Sequence, residues 1–205
     1  MIGDGYKLYY NRIVSNRNGL GIILSQDLTS SVTKVNRISD RLMKIKFGIG
    51  QSILDIFSVY TPQTCCKEEE KDDFRAILDE SVMEILKDDL VIIGGDLNAH
   101  VGKARDSYKR HHGGFGYGER NDEGEHVLKF TKAFDLALTN TYDKKKDSHL
   151  ITYESGTRKT QIDYMLISRR RLKDVIDCKV IPGEDIASQH KLLVMDLHLT
   201  NSTRN

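Results

Sequence analysis

The spacing of apolar and polar positions changes period several times along this chain, and each change marks an element. Residues 6–10 and 19–24 are short apolar segments on either side of Asn16-Arg17-Asn18-Gly19. An Asn-Gly step suits a turn that needs positive φ, so a hairpin is expected there. Residues 32–38 and 41–47 alternate in part and predict two strands, whereas 53–60 is too continuously apolar for a half-exposed edge. That run predicts a central strand covered on both faces. From 67 to 87 the period becomes helical: Phe74, Ile77, Leu78, Val82 and Ile85 recur at three and four, with Glu68, Glu69 and Glu70 in the first turn. Leu90-Val91-Ile92-Ile93 is then a brief buried strand ending at Gly94-Gly95, which leaves Asp96-Leu97-Asn98 just past its C-terminal end.

The stretch 99–120 is irregular and glycine-rich, with His111-His112-Gly113-Gly114-Phe115-Gly116-Tyr117-Gly118 at its centre. These glycines do not directly follow a strand and lack the Lys-Ser/Thr pair of a phosphate loop, so that reading is rejected. Asn121 or Asp122 can cap a second helix with Val127, Phe130, Thr131 and Phe134 on one face. Further strands are expected at 136–139, 150–153, 161–167 and 192–199. With strands outnumbering helices and the two interleaved, the chain is expected to be an α/β (α+β) domain. A two-sheet β-sandwich flanked by helices fits better than a doubly wound nucleotide-binding fold.

Composition narrows the picture. With 205 residues, 39% apolar and 30% charged, the chain can build one substantial core, which excludes wholesale disorder and a fibrous architecture. No apolar stretch approaches the ~18 residues that span a bilayer. Met1-Ile2-Gly3-Asp4-Gly5 has neither a basic start nor an apolar run, so an intracellular location is expected, compatible with the nucleus. Cys65, Cys66 and Cys178 have no zinc-ligand spacing and imply reduced thiols. The Asn201-Ser202-Thr203 sequon is read as a chance match. Thirty-one Lys and Arg against 30 Asp and Glu exclude a polyanion binder that is basic throughout. Only Lys144-Lys145-Lys146 and Arg169-Arg170-Arg171 offer local basic patches, each equally a solvated loop.

The polar residues at strand ends carry the candidate chemistry. Asp96 and Asn98, two apart beyond a buried strand, point the same way if the backbone stays extended. A carboxylate beside an amide suits a hard cation, or an attacking water plus a phosphate oxygen. Gly-Asp-Leu-Asn is equally a turn held by Asx hydrogen bonds. Asp163 is an acid inside the apolar run 161–167 and requires a partner if buried. Ser188-Gln189-His190, just before the last strand, supplies a candidate: an Asp–His pair fixes the imidazole tautomer and keeps the ring basic.

Tyr60-Thr61-Pro62, Gly95-Asp96-Leu97-Asn98, Asn121 with Gly124, Leu128 and Phe130, Ile162-Asp163-Tyr164 and Ser188-Gln189-His190 occur in one order. In order and spacing they resemble the motifs of the endonuclease/exonuclease/phosphatase superfamily. The nearest likeness is to the endonuclease domains of RTE or BovB-type non-LTR retrotransposons. The resemblance implies a deoxyribonuclease-like sandwich with its site at one end of the sheets. It implies magnesium, with manganese as a substitute, held by Asp96 and Asn98, and nicking of DNA through contacts to its backbone. Tyr60 would contact the scissile phosphate, Asp96 would align or deprotonate the attacking water, and Asn98 would orient a phosphate oxygen or touch the metal. Asp163 would hold His190, which stabilises charge on the phosphorane or serves as base. The lysine and arginine runs would grip phosphates, and a reverse transcriptase domain would belong to a longer parent chain. Two alternatives stand beside this: a catalytically inactive relic acting as a binding module, and a phospholipid or phosphoinositide phosphodiesterase or phosphatase.

Two departures from the family pattern carry expectations of their own. Gln189 stands where most relatives have an Asp that can contribute to the metal site. The strands bearing the family's Asn and principal metal-ligating Glu would lie upstream of Gly5-Tyr6. Residues 1–200 are therefore expected to form an N-terminally truncated domain, followed by a short tail at 201–205.

Overall fold

The computed structural model describes residues 5–11, 19–50, 52–85 and 88–199. A six-stranded sheet dominates, built from β3 (Val32–Ser39), β4 (Leu42–Ile49), β5 (Ser52–Tyr60), β6 (Leu90–Asp96), β7 (Leu136–Leu138) and β10 (Asp163–Ser168). Its spatial order is β3-β4-β5-β6-β10-β7, in which β5 and β6 run parallel and the other neighbours antiparallel. The parallel β5–β6 step needs a crossover, supplied by α2 (Glu68–Met83). The continuous apolar run in β5 is explained by this central place: Phe57 and Val59 enter one core, while Leu54 and Ile56 face the other.

On one face α2 and α3 (Asp122–Ala133) bury Phe74, Leu78, Val82 and Leu128 against Val91, Ile93, Tyr164 and Leu166. On the other face lie two antiparallel ribbons, β1 (Tyr6–Asn11) with β2 (Leu20–Ser25), and β11 (Val175–Asp185) with β12 (Lys191–Leu197). They pack Tyr9, Leu24, Met195 and Leu197 on Met43, Ile45, Ile92 and Ile167. Among the described residues the second layer is thus two separate ribbons rather than one continuous sheet. A single turn of helix, α1 (Gln26–Thr29), follows β2.

The expected hairpin at the start is present as the β1–β2 pair, although most of its turn at 16–18 and the tail at 201–205 lie outside the described residues. The long strand β11 was not expected. The expected strand at 150–153 is instead a 3-10 turn, Asp147–His149, leading into a short hairpin of β8 (Tyr153–Ser155) and β9 (Arg158–Thr160). Apolar Leu150 and Ile151 are buried by tertiary packing rather than by ladder pairing. None of the helices in the described residues is long and apolar enough to cross a membrane.

Candidate active site

Register across the sheet places three of the expected residues side by side. Tyr60 is the last residue of β5, Asp96 the last of β6 and Asp163 the first of β10. Tyr60 pairs with Asp96 in the parallel ladder and Asp96 with Asp163 in the antiparallel one. Neighbouring strands lie about 4.8 Å apart, so these residues form a row at one end of the sheet. The row depends on Gly95, whose φ is 150° and whose Cβ, if present, would stand 1.8 Å from the Val59 carbonyl oxygen. Only glycine lets β6 approach β5 closely enough there.

Beyond Asp96 the backbone does not stay extended. Asn98 has a φ of 44°, a left-handed conformation that asparagine tolerates, and its N–H donates to Asp96 Oδ1 at 2.9 Å. The Asx turn is therefore real, and it leaves both side chains in the cleft. Asn98 Nδ2 donates to the Thr61 carbonyl at 2.9 Å, while Thr61 N donates to the Asp96 carbonyl at 3.0 Å. These bonds lock the residues after Tyr60 to those after Asp96. With its amide nitrogen engaged, Asn98 turns Oδ1 to other partners.

His190 arrives from the start of β12. Its Nδ1 lies 3.1 and 3.3 Å from the two Asp163 carboxylate oxygens, so Nδ1–H donates and Nε2 is left for the cleft. The position of the pair is set by Thr152, which is fully buried. Its hydroxyl accepts from both Ile162 N and Asp163 N at 3.0 Å, and its carbonyl accepts from Lys191 N at 2.8 Å. One threonine thereby ties the strand that carries Asp163 to the strand that follows His190. Tyr153 packs edge-on against the His190 ring, with centroids 5.0 Å apart. Its hydroxyl donates to Gln189 Oε1 at 3.0 Å, and Gln189 Nε2 donates to Ser155 Oγ at 2.9 Å. Gln189 is thus committed to the β8–β9 hairpin.

The third motif in chain order, Asn121 with Gly124, braces the site from the α3 side. Asn121 Oδ1 accepts from Gly124 N at 2.8 Å, capping α3, and from His100 N at 3.0 Å. A Cβ on Gly124 would meet the His100 carbonyl at 1.8 Å, so this close approach of helix to loop requires glycine. The braced His100 joins Tyr60, Gln63, Cys65, Asp96, Asn98, Asn121, Tyr153, Arg158, Thr160, Gln189 and His190 in lining a cleft of about 490 Å³.

Electrostatics follow from crowding two carboxylates into this cleft. Burial first, and then the neighbouring Asp163 charge, push the Asp96 carboxyl up to about 6, opposed by the Asn98 N–H and by His190. Hydrogen bonding to Asp163 raises His190 above its ordinary value against the opposing effect of burial, and both acids add to the rise. Burial and the nearby Arg158 charge lower His100.

Several expectations do not hold. The lysine and arginine runs do not line the cleft, and several of their side chains are engaged by nearby groups. Lys145 pairs with Asp143 and Asp177 at 3.2 and 3.1 Å. Arg169-Arg170-Arg171 sits at the far end of β10, about 17 Å from Asp163; Arg169 bonds the Arg110 carbonyl, Arg170 the Asp89 carbonyl, and Arg171 pairs with Asp174. Glu68 and Glu70 are engaged by Arg75 and Arg41 at 2.9 and 3.0 Å and stay out of the cleft. His100, Tyr153, Arg158 and Thr152 were missed by sequence reasoning. His100 continues the 96, 98, 100 spacing and could have been found; Thr152 leaves no sequence signal.

A hard cation can be tested against this donor set. Among the described residues no three His, Cys, Asp or Glu side chains are grouped to hold a metal ion. For a hard cation the cleft offers oxygen donors, one Asp96 carboxylate oxygen and Asn98 Oδ1. That pair fits a magnesium ion that keeps most of its waters and takes the rest of its ligands from a phosphate.

Comparison with known proteins agrees with the fold and the family resemblance. A family model described as endonuclease-reverse transcriptase matches residues 54–194. The chain is 30% identical over 198 residues to craniofacial development protein 2 of Bos taurus and 29% identical to that of Tragulus javanicus. It covers 33% and 34% of those proteins, so it spans about a third of the curated relatives it matches. The endonuclease domain of TRAS1, a telomere-specific non-LTR retrotransposon, superposes with a TM-score of 0.71 at 14% identity, over 95% of this chain and 79% of that one. The 3′ phosphatase NExo from Neisseria, bound to product DNA hairpin, gives 0.69 at 13%, over 95% and 80%. An AP endonuclease from Archaeoglobus fulgidus gives 0.65 at 15%, again over 95% and 80%. The family model, which spans most of the chain, and the relative at 30% identity place this chain in the endonuclease/exonuclease/phosphatase superfamily, with the deoxyribonuclease-like fold its structural relatives share.

Proposed function

We propose that this chain hydrolyses phosphodiester bonds of DNA as a magnesium-dependent nicking endonuclease of the retrotransposon type. The observation that carries the reading is the convergence of Tyr60, Asp96, Asn98 and the Asp163–His190 pair on one cleft. In-line displacement at phosphorus needs a positioned nucleophile and donors for the charge that develops on the phosphoryl oxygens. Asp96, at the end of β6 and facing the cleft, would align the attacking water or take its proton. Tyr60, with its hydroxyl 3.4 Å from Gln63 Nε2, is placed to donate to a phosphate oxygen. His190, oriented by Asp163, presents Nε2 as a donor when protonated and as a base when neutral. Asp96 and Asn98 would hold the magnesium ion, which supplies Lewis-acid screening of the phosphate when bound. DNA as substrate is supported by the retrotransposon endonuclease and DNA-bound phosphatase among the structural relatives. A reverse transcriptase partner within a longer parent chain, and action in the nucleus, belong to the same reading.

The test offers supercoiled plasmid and phosphoinositide vesicles to the purified chain, each with magnesium and with a chelator. The reading expects open-circular plasmid with magnesium alone, and intact lipid throughout. Lipid cleavage with intact plasmid would assign the site to the phospholipid branch. Inertness toward both would assign the chain to a binding role.

A further inference from the structure

Sequence reasoning assigned backbone contacts to basic runs that the fold uses elsewhere, which leaves open what meets the substrate's phosphates beyond the reacting one. The β8–β9 hairpin supplies an answer. The nearby cations are engaged: Lys159 of β9 pairs with Glu154 at 3.4 Å, and Lys191 of β12 pairs with Asp185 at 2.7 Å and reaches Glu154 at 4.0 Å. Arg158 lines the cleft and makes no hydrogen bond or ion pair among the described residues. Arg37, Arg41, Arg75, Arg105, Arg120, Arg169 and Arg170 all do.

Arg158 is held at a defined distance from the chemistry. In the hairpin, Tyr153 faces Thr160 and Ser155 faces Arg158 across the Gly156–Thr157 turn. Tyr153 in turn packs on His190, and Ser155 is tied to Gln189. Arg158 therefore stands two residues, about 7 Å, along the hairpin from the position that abuts His190. That offset is on the order of the step between successive phosphates of a nucleic-acid strand. A guanidinium with no side-chain partner, lining the same cleft as Asp96, suits a phosphate through its planar fork.

We infer that Arg158 forms a phosphate-binding subsite for the phosphodiester next to the scissile one, positioning the strand rather than taking part in the chemistry. This rests on the nuclease reading above. Because Arg158 is exposed, its replacement leaves the fold intact, which equal melting temperatures would verify. The experiment measures binding of a short DNA duplex at several salt concentrations with chelator present, and steady-state nicking with magnesium, for the parent chain, Arg158→Ala and Arg158→Lys. For Arg158→Ala the expected result is binding weakened about 5- to 20-fold, KM raised in proportion and kcat within about twofold. The salt slope of log affinity should fall by about one, as for the loss of one phosphate contact. Arg158→Lys should keep the parent salt slope and recover part of the affinity, since charge survives but the fork does not. Parent-like binding and slope in Arg158→Ala, with a parent chain that binds and cuts, would overturn the subsite alone. A parent chain that neither binds nor cuts the duplex would overturn the nuclease reading and the subsite with it.

Discussion

A carboxylate raised by burial stores a stability cost that its removal should release, and Asp96 gives the clearest case. Its carboxyl stands at about 6 against an ordinary 3.8, with burial the larger cause and the Asp163 charge the second. The sign follows from linkage. The folded chain binds this proton more tightly than the unfolded chain does, so stability declines as pH rises from the unfolded value through the folded one. Near pH 4 the folded carboxyl is protonated and the unfolded one about half ionised, so only a small part of the cost remains, and it vanishes below about pH 3. Above about pH 7 both are ionised and the cost is complete, amounting to at most about 3 kcal/mol for a displacement of this size. Asp96→Asn is the apt perturbation, because the amide keeps Oδ1 as acceptor for Asn98 N and so preserves the turn. Without magnesium, the variant should be more stable than the parent by about 1–3 kcal/mol at pH 8 and only slightly more stable at pH 4. A gain of several degrees in Tm is expected for a chain of this size. Urea unfolding at the two pH values, with chelator, measures it. The same variant should lose nicking by about 10²-fold or more, as for the loss of one positioned electrostatic group. A variant no more stable than the parent at pH 8 would refute the electrostatic picture of the cleft.

Two further outcomes are expected. Asp163→Asn removes the charge-assisted hydrogen bond that orients His190, worth about 1.5–3 kcal/mol, so nicking should fall about 10- to 100-fold. The His190 titration followed by NMR should move to lower pH, and an unmoved titration would mean that Asp163 does not govern the ring. Thr152→Val leaves Ile162 N and Asp163 N without their shared acceptor and should cost about 2–5 kcal/mol, whereas Thr152→Ser should stay within about 1 kcal/mol of the parent. A larger loss in Thr152→Ser than in Thr152→Val would assign the effect to methyl packing instead.

Much of the fold was legible because its elements rest on periodicity that burial enforces. The continuous run of β5 reads as central because both faces are covered, and Phe74, Leu78 and Val82 read as helix because they meet one core. β11 escaped notice because Pro182 and Gly183 interrupt it and polar Asp177 and Lys179 face outward from a two-stranded ribbon. The candidate site was legible wherever its residues sit at strand ends, as Tyr60, Asp96 and Asp163 do. Adjacency across a ladder is a property of register, which single residues do not encode. The contributions of Thr152, Tyr153 and Arg158 depend on a hairpin folding back toward His190, a long-range arrangement without local signal. The basic runs are ambiguous in sequence because charge clusters look alike whether they meet a ligand or nearby acids.

The central claim is that the row of Tyr60, Asp96 and Asp163, together with Asn98 and His190, is a phosphodiester-cutting centre. It is tested most directly by conversion of supercoiled plasmid to open circles by the parent chain and by His190→Ala, at equal fold stability, with magnesium and with chelator. The account predicts nicking by the parent that requires magnesium and is about 10²-fold or more slower in the variant. Nicking that persists in His190→Ala within a few-fold of the parent would contradict it.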